Sequence, residues 1–251
     1  MKSIEITFPG VIDFFTKGTI SDYTIRRDYL DVYDKIEIAA SKKLTENKVE
    51  IKPVLEAGLF FFKELNLKGY TLCTNISKGI PDGYNLVRDD IIKASTIEAL
   101  NYITGVNLSE NEIKDLCKKL SNSTASMLNT YNCVLDKDGN LLHNTNNLDI
   151  HYVAIKLPDI YNQEELIKFF MKDESIVIDP KDIGNYKELI DIKNILQENN
   201  ASEISINGFS NIIVASFSNP HDRFKVASML EDHEARKFGA GHGYKLLRMC
   251  R

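Results

Sequence analysis

The segment from residue 70 to residue 105 constrains the fold of this chain more than any other stretch. The run Tyr70–Ile76 predicts a strand, GIPDG at 79–83 predicts a turn, and Arg88–Ile103, followed by Gly105, predicts a helix. A strand, a glycine-containing turn and a helix in this order direct backbone N–H groups and the positive end of a helix dipole toward an anion. The segment therefore predicts a phosphate site. Its candidate cofactor-binding residues are Lys78, Gly79 and Gly83.

The residues that follow Gly83 do not suit the close approach of a phosphate. Small residues would let the backbone close around an anion, but residues 84–88 are YNLVR. Asp89 and Asp90 come next, and two carboxylates repel a triphosphate unless a magnesium ion lies between them. Two interpretations of this pair stay open: magnesium ligands, or charges that stabilise a helix N-terminus. The candidate catalytic residues are Arg88, Asp89 and Asp90, and the candidate metal ligands are Asp89 and Asp90.

Composition disfavours several classes of protein. The 251 residues carry a formal net charge of -5, which argues against a general nucleic-acid binder because such proteins usually have a basic face. No run of 18 apolar residues predicts a transmembrane helix, and the first ten residues lack the apolar core of a signal peptide. The four cysteines lie far apart without a CxxC pair, which favours reduced, mostly buried thiols in a cytoplasmic protein.

The order of apolar patterns predicts an α+β fold. Ser3–Phe8 predicts an opening strand that the following Pro-Gly pair stops, and Tyr23–Arg27 and Asp31–Ala39 predict two further strands. Near the other end, His221–Phe238 predicts a helix that a glycine ends. Clusters of strands are separated by helices without strict βα alternation, and this order is typical of the α+β class.

Three short matches give this order of elements a resemblance to a known family. A Pro-Gly turn at Pro9-Gly10, then Gly18 and an aspartate-containing strand at Asp31, come first. ISKGIPDG at 76–83 follows, and LCKKL at 116–120 precedes a hairpin pattern over 131–142. In these features the chain resembles the GHMP kinase superfamily, and within it the L-threonine kinase branch of cobalamin biosynthesis. The resemblance implies a GHMP-kinase-like two-lobed fold, with an N-terminal mixed-sheet domain at 1–145 and a C-terminal α/β domain at 146–251.

The same resemblance implies a kinase that uses ATP and magnesium on a small hydroxylated metabolite, such as an amino acid. Several positions depart from the family pattern. The family's loop continues into small residues where only Gly83 remains here, and its two acidic positions fall at Phe14 and at about Thr124. Neither side chain can act as a carboxylate does, although Asp13 lies one residue before the first position. The family's third motif, a small-residue loop, corresponds loosely to residues 207–210 (NGFS).

Other polar clusters carry weaker signals. On one continuous helix, His221 and His233 would lie about 18 Å apart by the 1.5 Å rise per residue, so they are not expected to share a metal. Residues 239–243 (GAGHG) are compatible with an anion site or with a helix C-cap and turn. His143 and His151 flank a predicted hairpin and are expected at the surface or in packing.

Two main functional hypotheses follow. In the first, Lys78, Arg88, Asp89 and Asp90 support transfer of the γ-phosphoryl group of ATP to a hydroxyl group, since phosphoryl transfer needs mainly positioning and charge neutralisation. In the second, the chain is a non-catalytic binding or partner subunit; a third hypothesis is a site used for another reaction. We expect weak or no binding of ATP and magnesium. The expected partners are a small-molecule metabolite or a protein, with a homodimer as a further expectation and without nucleic acid or membrane.

Overall fold

The computed structural model describes residues 2–19, 22–42, 46–128, 131–145, 149–158, 161–170, 183–208, 210–243 and 245–249. Side chains are described for these residues except 17–19, 183–185 and 245–249. Across the described ranges, no helix combines the length and the apolar character that a membrane crossing requires.

A six-stranded antiparallel sheet combines the N-terminal part of the chain with the last described strand. The strand order is β10-β1-β2-β4-β5, and β3 pairs with β2 further along the same strand. The strands are β1 (Ser3–Thr19), β2 (Asp22–Ser41), β3 (Thr71–Ser77), β4 (Cys133–Asp136), β5 (Leu141–Asn144) and β10 (Lys245–Met249). The chain therefore returns to its first sheet after building a second one.

Strands β1 and β2 are longer than the sequence pattern predicted. The prediction that Pro9-Gly10 stops the first strand is wrong: the pairing register shifts between Pro9 and Val11, and the strand continues through a bulge. A bulge tolerates proline because the extra residue does not need to donate to the ladder. The prediction of two separate strands at 23–39 is also wrong, because Tyr29 pairs with Val11 and carries the ladder across the gap. The continuous hairpin places Asp13 opposite Arg27.

Helix α2 (Asp89–Thr104) is the central helix of the N-terminal half. It contacts β1, β2 and three neighbouring helices, which are α1 (Lys52–Glu64), α3 (Glu110–Leu120) and α4 (Asn122–Ser126). Ten of its sixteen residues are buried, so it anchors the larger apolar core. The predicted C-terminus of α2 is confirmed, since Gly105 adopts a left-handed conformation (φ 70°) that glycine accommodates without strain.

A second antiparallel sheet has the strand order β7-β8-β6-β9. Its strands are β6 (His151–Lys156), β7 (Glu203–Ile206), β8 (Ile212–Phe217) and β9 (Arg236–Gly239). Helices α5 (Gln163–Phe170), α6 (Ile183–Glu198) and α7 (Pro220–Met229) accompany this sheet. All six residues of β8 are buried: Ile213, Ala215 and Phe217 belong to the second apolar core, whereas Ile212 and Val214 belong to the larger one.

The single helix predicted over 221–238 is wrong. Helix α7 ends at Met229, a short 3₁₀ helix follows at Glu231–His233, and Glu234 adopts a left-handed conformation (φ 52°). The next residues form β9, which pairs with β6 in register with Phe238 opposite Tyr152. Helix propensity is therefore overridden at 236–239 by strand pairing that the local sequence does not show.

The two sheets meet where β1 passes the turn between β7 and β8. Phe14 forms an isolated antiparallel bridge with Asn207. The backbone N–H of Gly208 donates to the carbonyl oxygen of Asp13 at 3.1 Å, and that of Phe15 donates to Oγ of Ser205 at 3.1 Å. Two sheets with helices around them confirm the α+β class, while the proposed division at residues 145 and 146 stays a prediction.

Candidate functional site

The loop between β3 and α2, residues 78–88, begins on a carboxylate that the chain itself supplies. The N–H groups of Gly79 and Ile80 donate to Oδ1 of Asp34 at 2.7 and 2.8 Å, and Asp34 is buried on β2. A Cβ atom at residue 79 would lie 2.3 Å from the carbonyl oxygen of Tyr33, so this close approach requires glycine. Two N–H groups of the predicted anion site thus already have an anionic partner.

The middle of the loop turns its carbonyl groups toward protein donors. The carbonyl oxygens of Tyr84 and Asn85 accept from Nδ2 of Asn207 at 3.2 and 3.0 Å, and that of Leu86 accepts from the N–H of Val11 at 2.8 Å. The side chains of Tyr84 and Leu86 are buried, and the Tyr84 hydroxyl donates to the carbonyl oxygen of Glu234. A phosphate needs donors rather than carbonyl oxygens, so these residues do not fit a nucleotide loop.

Asn207 connects the loop, β1 and the start of α2. Its Oδ1 atom accepts from the backbone N–H of Asp13 at 3.0 Å and from Nη2 of Arg88 at 2.8 Å. The residue is fully buried, and its Nδ2 atom supplies the two bonds to the loop. A side-chain amide both donates and accepts, whereas an ionised aspartate at the same position could only accept. The loosely matched third motif therefore lies in the candidate site, although Phe209 is outside the described residues.

A buried charge cluster lies beside Asn207. Arg27 donates to both carboxylate oxygens of Asp13, at 2.6 and 2.8 Å, and Nη2 of Arg88 lies 3.4 Å from Oδ2. Burial raises the pKa of Asp13, but the two guanidinium groups more than offset this effect, so the pKa lies below its ordinary value. A carboxylate with a lowered pKa and two cationic partners is a poor general base. Both oxygens of Asp13 are also engaged by Arg27, so this carboxylate is poorly placed to accept a proton.

The cluster carries more positive than negative charge. Two guanidinium groups share one carboxylate, and Arg88 is the N-cap residue of α2 without a capping bond from its side chain. Burial lowers the pKa of Arg88, and the charge of Arg27 acts in the same direction. Nε of Arg88 is buried and has no hydrogen-bond partner among the described residues. A Cβ atom at 208 would lie 3.1 Å from Nη2 of Arg88, so Gly208 leaves room for this side chain.

Asp89 and Asp90 both lie in the first turn of α2, but only Asp90 is engaged by neighbouring side chains. Its Oδ1 atom accepts from Oγ1 of Thr124 at 2.7 Å and from Oγ of Ser121 at 3.2 Å, whereas Asp89 is exposed. The structure thus brings the candidate Asp90 together with Thr124. Within the described ranges, no group of three His, Cys, Asp or Glu side chains could hold a metal ion. The observed positions suit charges that stabilise a helix N-terminus.

The remaining candidates lie at separate places. Lys78 is exposed and its Nζ lies 3.1 Å from Oδ1 of Asp82, and Gly83 adopts a positive φ of 85° in the same loop. The N–H of Gly239 donates to Oδ1 of Asp31 at 2.7 Å, so the first glycine of GAGHG also has a carboxylate partner from β2. His221 is the second residue of α7, and Nδ1 of His233 lies 3.3 Å from Oε1 of Glu188. None of these groups reaches the charge cluster.

Arg27, Asp34 and Tyr84 belong to the candidate site although the sequence pattern does not indicate them. Arg27 follows another arginine within an apolar strand pattern, and a buried arginine on a strand needs a carboxylate partner, which was an available signal. The partnership of Asp34 with the loop had no local signal, because the two segments are adjacent only in the folded chain.

Comparison with solved structures identifies the fold. A homoserine kinase from Cytophaga hutchinsonii matches with a TM-score of 0.66 over 98% of each chain, at 12% identity. A 4-(cytidine 5'-diphospho)-2C-methyl-D-erythritol kinase matches with a TM-score of 0.68 over 95% of this chain and 100% of its own, at 12% identity. The mevalonate kinase of Methanococcus jannaschii matches with a TM-score of 0.62 over 98% of each chain, at 14% identity.

One further match was determined with bound ligands. This structure, of MDDEF in complex with MVAPP, AMPPCP and magnesium, has a TM-score of 0.65 to this chain over 99% of each chain, at 10% identity. No protein-family model matches the sequence, and no curated protein sequence matches it significantly. At such low identities the likeness concerns the backbone alone, and across nearly the whole length of the chain it is the fold of the GHMP kinases.

Proposed function

We propose that this chain descends from a small-molecule kinase of the GHMP type and now acts as a non-catalytic binding or partner protein. The ancestral substrate would be a small hydroxylated metabolite such as an amino acid, in line with the resemblance to the L-threonine kinase branch. In this proposal the loop at 78–88 and the two acidic positions of the family no longer support transfer from ATP in the usual form. The free thiols of Cys73 and Cys117 are in line with a reducing, cytoplasmic environment.

The observation that carries this proposal is the inward orientation of the loop. Three successive carbonyl groups, from Tyr84 to Leu86, bind donors of the chain itself, and Asp34 accepts from the N–H groups at the loop's start. To accept a nucleotide, the loop would have to break these bonds and expose buried Tyr84. Each broken bond to a buried group costs about 1–3 kcal/mol, which directly weakens nucleotide binding.

A second candidate function is a metal-assisted kinase with a divergent site. The observation that favours it is the adjacency of Arg88, Asp89 and Asp90 at the N-terminus of α2, where a magnesium ion could neutralise the carboxylates. In this alternative, Asp89 and Asp90 would hold the metal, and Lys78 and Arg88 would contact the phosphates.

Calorimetric titration with ATP and magnesium separates the two candidates. We expect no binding, or a Kd weaker than about 1 mM, because the carbonyl groups of residues 84–86 and the buried Tyr84 side chain hold the loop inward. A micromolar Kd that disappears in a variant with Asp89→Ala and Asp90→Ala would contradict the non-catalytic proposal. The matched control is Glu231→Ala with Asp232→Ala, an exposed acidic pair at the start of the 3₁₀ helix in the other half of the chain.

A further inference from the structure

Tyr84 links the middle of the loop at 78–88 to the second sheet. Its hydroxyl donates to the carbonyl oxygen of Glu234 in the turn before β9, and Nε of Arg236 on β9 donates to the same hydroxyl at 3.4 Å. The Tyr84 side chain is 3% exposed and packs in the larger apolar core. The loop is therefore held closed by a contact between the two halves of the chain.

The two ends of the loop are fixed by other contacts. At its start, Oδ1 of the buried Asp34 accepts from two backbone N–H groups of the GIPDG turn. At its end, the carbonyl oxygen of Leu86 accepts from the N–H of Val11 at 2.8 Å, and the Leu86 side chain is buried. Neither set of contacts involves the side chain of Tyr84. Residues 81–85 can therefore move away from the second sheet while both ends of the loop stay in place.

Both neighbours of Tyr84 have positive φ angles. Gly83 has a φ of 85° and Asn85 a φ of 50°, and both residues are exposed. Changes of φ and ψ at two such positions swing the residue between them as a unit, as at the hinges of mobile loops. The backbone is thus arranged so that Tyr84 can move outward without the unfolding of β3 or α2.

The contacts at the rim of this closed loop are weak. Nζ of Lys156 lies 3.9 Å from Oε1 of Glu234, and both side chains are largely exposed (45% and 63%), so this ion pair contributes little. The hydrogen bond from Arg236 is long. The loop is held mainly by the burial of Tyr84, by its bond to the Glu234 carbonyl, and by the two bonds from Asn207 to loop carbonyls.

We propose that Tyr84 is an autoinhibitory latch of the loop. In the closed position, the carbonyl oxygens of residues 84 and 85 occupy Nδ2 of Asn207. In the open position, residues 81–85 swing outward about Gly83 and Asn85, and this amide group becomes available to a ligand. A ligand that uses it binds more weakly in proportion to the small fraction of open molecules. The inhibitory role rests on the proposed function, in which the inward loop excludes a nucleotide, whereas the opening is a property of the free protein.

Nitration of tyrosines by tetranitromethane, located by mass spectrometry, measures the opening in the protein without ligand. Tyr84, Tyr29 and Tyr152 are all nearly inaccessible, with exposures of 3%, 1% and 0%. Global unfolding would expose all three alike, whereas the latch exposes Tyr84 alone. We expect Tyr84 to react about tenfold faster than the other two, because local opening needs less free energy than global unfolding. The exposed Tyr131 (64%) is the internal reference, and equal rates for the three buried tyrosines would overturn the latch.

Gly83→Ala tests the hinge. It should raise the nitration rate of Tyr84 about fivefold, because alanine disfavours the positive φ of the closed loop. The added Cβ atom has room, since Nζ of Lys156 lies 3.8 Å away. The matched control is Gly69→Ala, at a glycine with a φ of 79° and free space for a Cβ atom outside the loop. An equal increase in both variants, or no increase in Gly83→Ala, would overturn the proposal.

These rates separate the latch from the proposed function because they are measured without a nucleotide. Micromolar binding of ATP and magnesium by the wild-type protein would contradict the proposed function and the inhibitory role, while the nitration rates would still decide whether the loop opens. Weak ATP binding together with a Tyr84 rate that Gly83→Ala leaves unchanged would overturn the latch alone. Circular dichroism verifies that both variants are folded.

Discussion

Asp13 and Asn207 show how single residues connect distant parts of this chain. The Asp13 carboxylate contacts two guanidinium groups, while its backbone N–H donates to Oδ1 of Asn207 and its carbonyl oxygen accepts from the N–H of Gly208. Asn207 uses both atoms of its amide for four hydrogen bonds to three segments. Both side chains are buried, so a lost partner cannot be replaced readily by water.

Asp13→Asn should lower the free energy of unfolding by about 3–5 kcal/mol at neutral pH, because it leaves the buried Arg27 and the partly buried Arg88 without a carboxylate. Chemical denaturation measures this loss. The control is Asp82→Asn, which removes an exposed partner of Lys78 and should cost less than about 1 kcal/mol. Equal losses in the two variants would show that the buried cluster contributes little to stability.

The ionisation of Asp13 should make the stability of the folded protein depend on pH. The pKa of Asp13 in the folded protein lies below its unfolded value of about 3.9, so its contribution to stability is present above that pH. The contribution disappears as the pH falls through the lower folded-state pKa. Asp13→Asn cannot titrate, so the stability difference between wild type and variant should shrink below about pH 4. If the stability difference between wild type and variant stayed constant below pH 4, the lowered pKa of Asp13 would be contradicted.

At the scale of single residues, the sequence indicated Arg88 and Asp13 but not the residues that contact them. Arg88 was recognised from its place before the acidic pair, and Asp13 from its nearness to a family position. Arg27 was not recognised, because the pairing of residues 13 and 27 depends on a bulge that keeps β1 and β2 in one long ladder. A local pattern does not reveal such a register.

At the scale of elements, the loop and α2 depend on backbone geometry. Gly79 allows the loop to pass against β2 within contact of the Tyr33 carbonyl, and Gly105 ends α2 in a left-handed conformation. Ser109 and Glu112 form the capping box that starts α3, with the Ser109 N–H donating to Oε2 of Glu112 at 2.8 Å. These signals act within a few residues, and for that reason the sequence predicted the end of α2 from Gly105.

Gly79→Ala should destabilise the protein by about 2–4 kcal/mol, because the new Cβ atom would lie 2.3 Å from the backbone oxygen of Tyr33 and push the loop away from Asp34. Gly69→Ala is the matched control. Gly69 has a positive φ of 79° but no atom near the added Cβ, so only the conformational cost of about 1 kcal/mol applies. Thermal and chemical unfolding measure both. If Gly69→Ala lowered the free energy of unfolding more than Gly79→Ala does, the close approach of residue 79 to the Tyr33 carbonyl would be contradicted.

The wrong prediction of a single helix over residues 221–238 has a long-range cause. Residues 230–235 contain good helix formers, yet the chain leaves the helix at Leu230 and reverses through Glu234. What decides the outcome is the pairing of β9 with β6, whose residues lie some eighty positions earlier. Long-range strand pairing overrides intrinsic propensity, and a sequence pattern alone does not contain that information.

At the scale of the whole molecule, the two sheets share the larger apolar core and are also joined by buried and partly buried polar contacts. The Tyr152 hydroxyl donates to Oδ2 of Asp28 at 3.1 Å, Arg26 forms an ion pair with Glu203, and Asn207 reaches β1 and the loop. The fold class was predictable from the order of elements and the family resemblance. The clustering of residues 13, 27, 88 and 207 was not predictable, because it depends on how the two sheets pack against each other.

These contacts predict that the two halves unfold together. Scanning calorimetry should show one transition with equal calorimetric and van't Hoff enthalpies. Asn207→Ala should lower the Tm, because it leaves the Tyr84 and Asn85 carbonyls without donors. Asn140→Ala, an exposed asparagine in the β4–β5 turn, serves as the control. Two separate transitions in the wild-type protein would show that the halves are energetically independent.

The pairing of β1 with β10 has a consequence for biosynthesis. Residues 3–7 pair on one side with residues 245–249, which leave the ribosome last among the described strands. Until that segment emerges, one edge of the first strand stays open while the rest of both sheets has already been made. Contacts between segments so far apart in sequence are slow to form, since a large loop must close first. The nascent chain therefore depends on a late event to seal its first sheet, and during that interval it is open to chaperones and to misassociation.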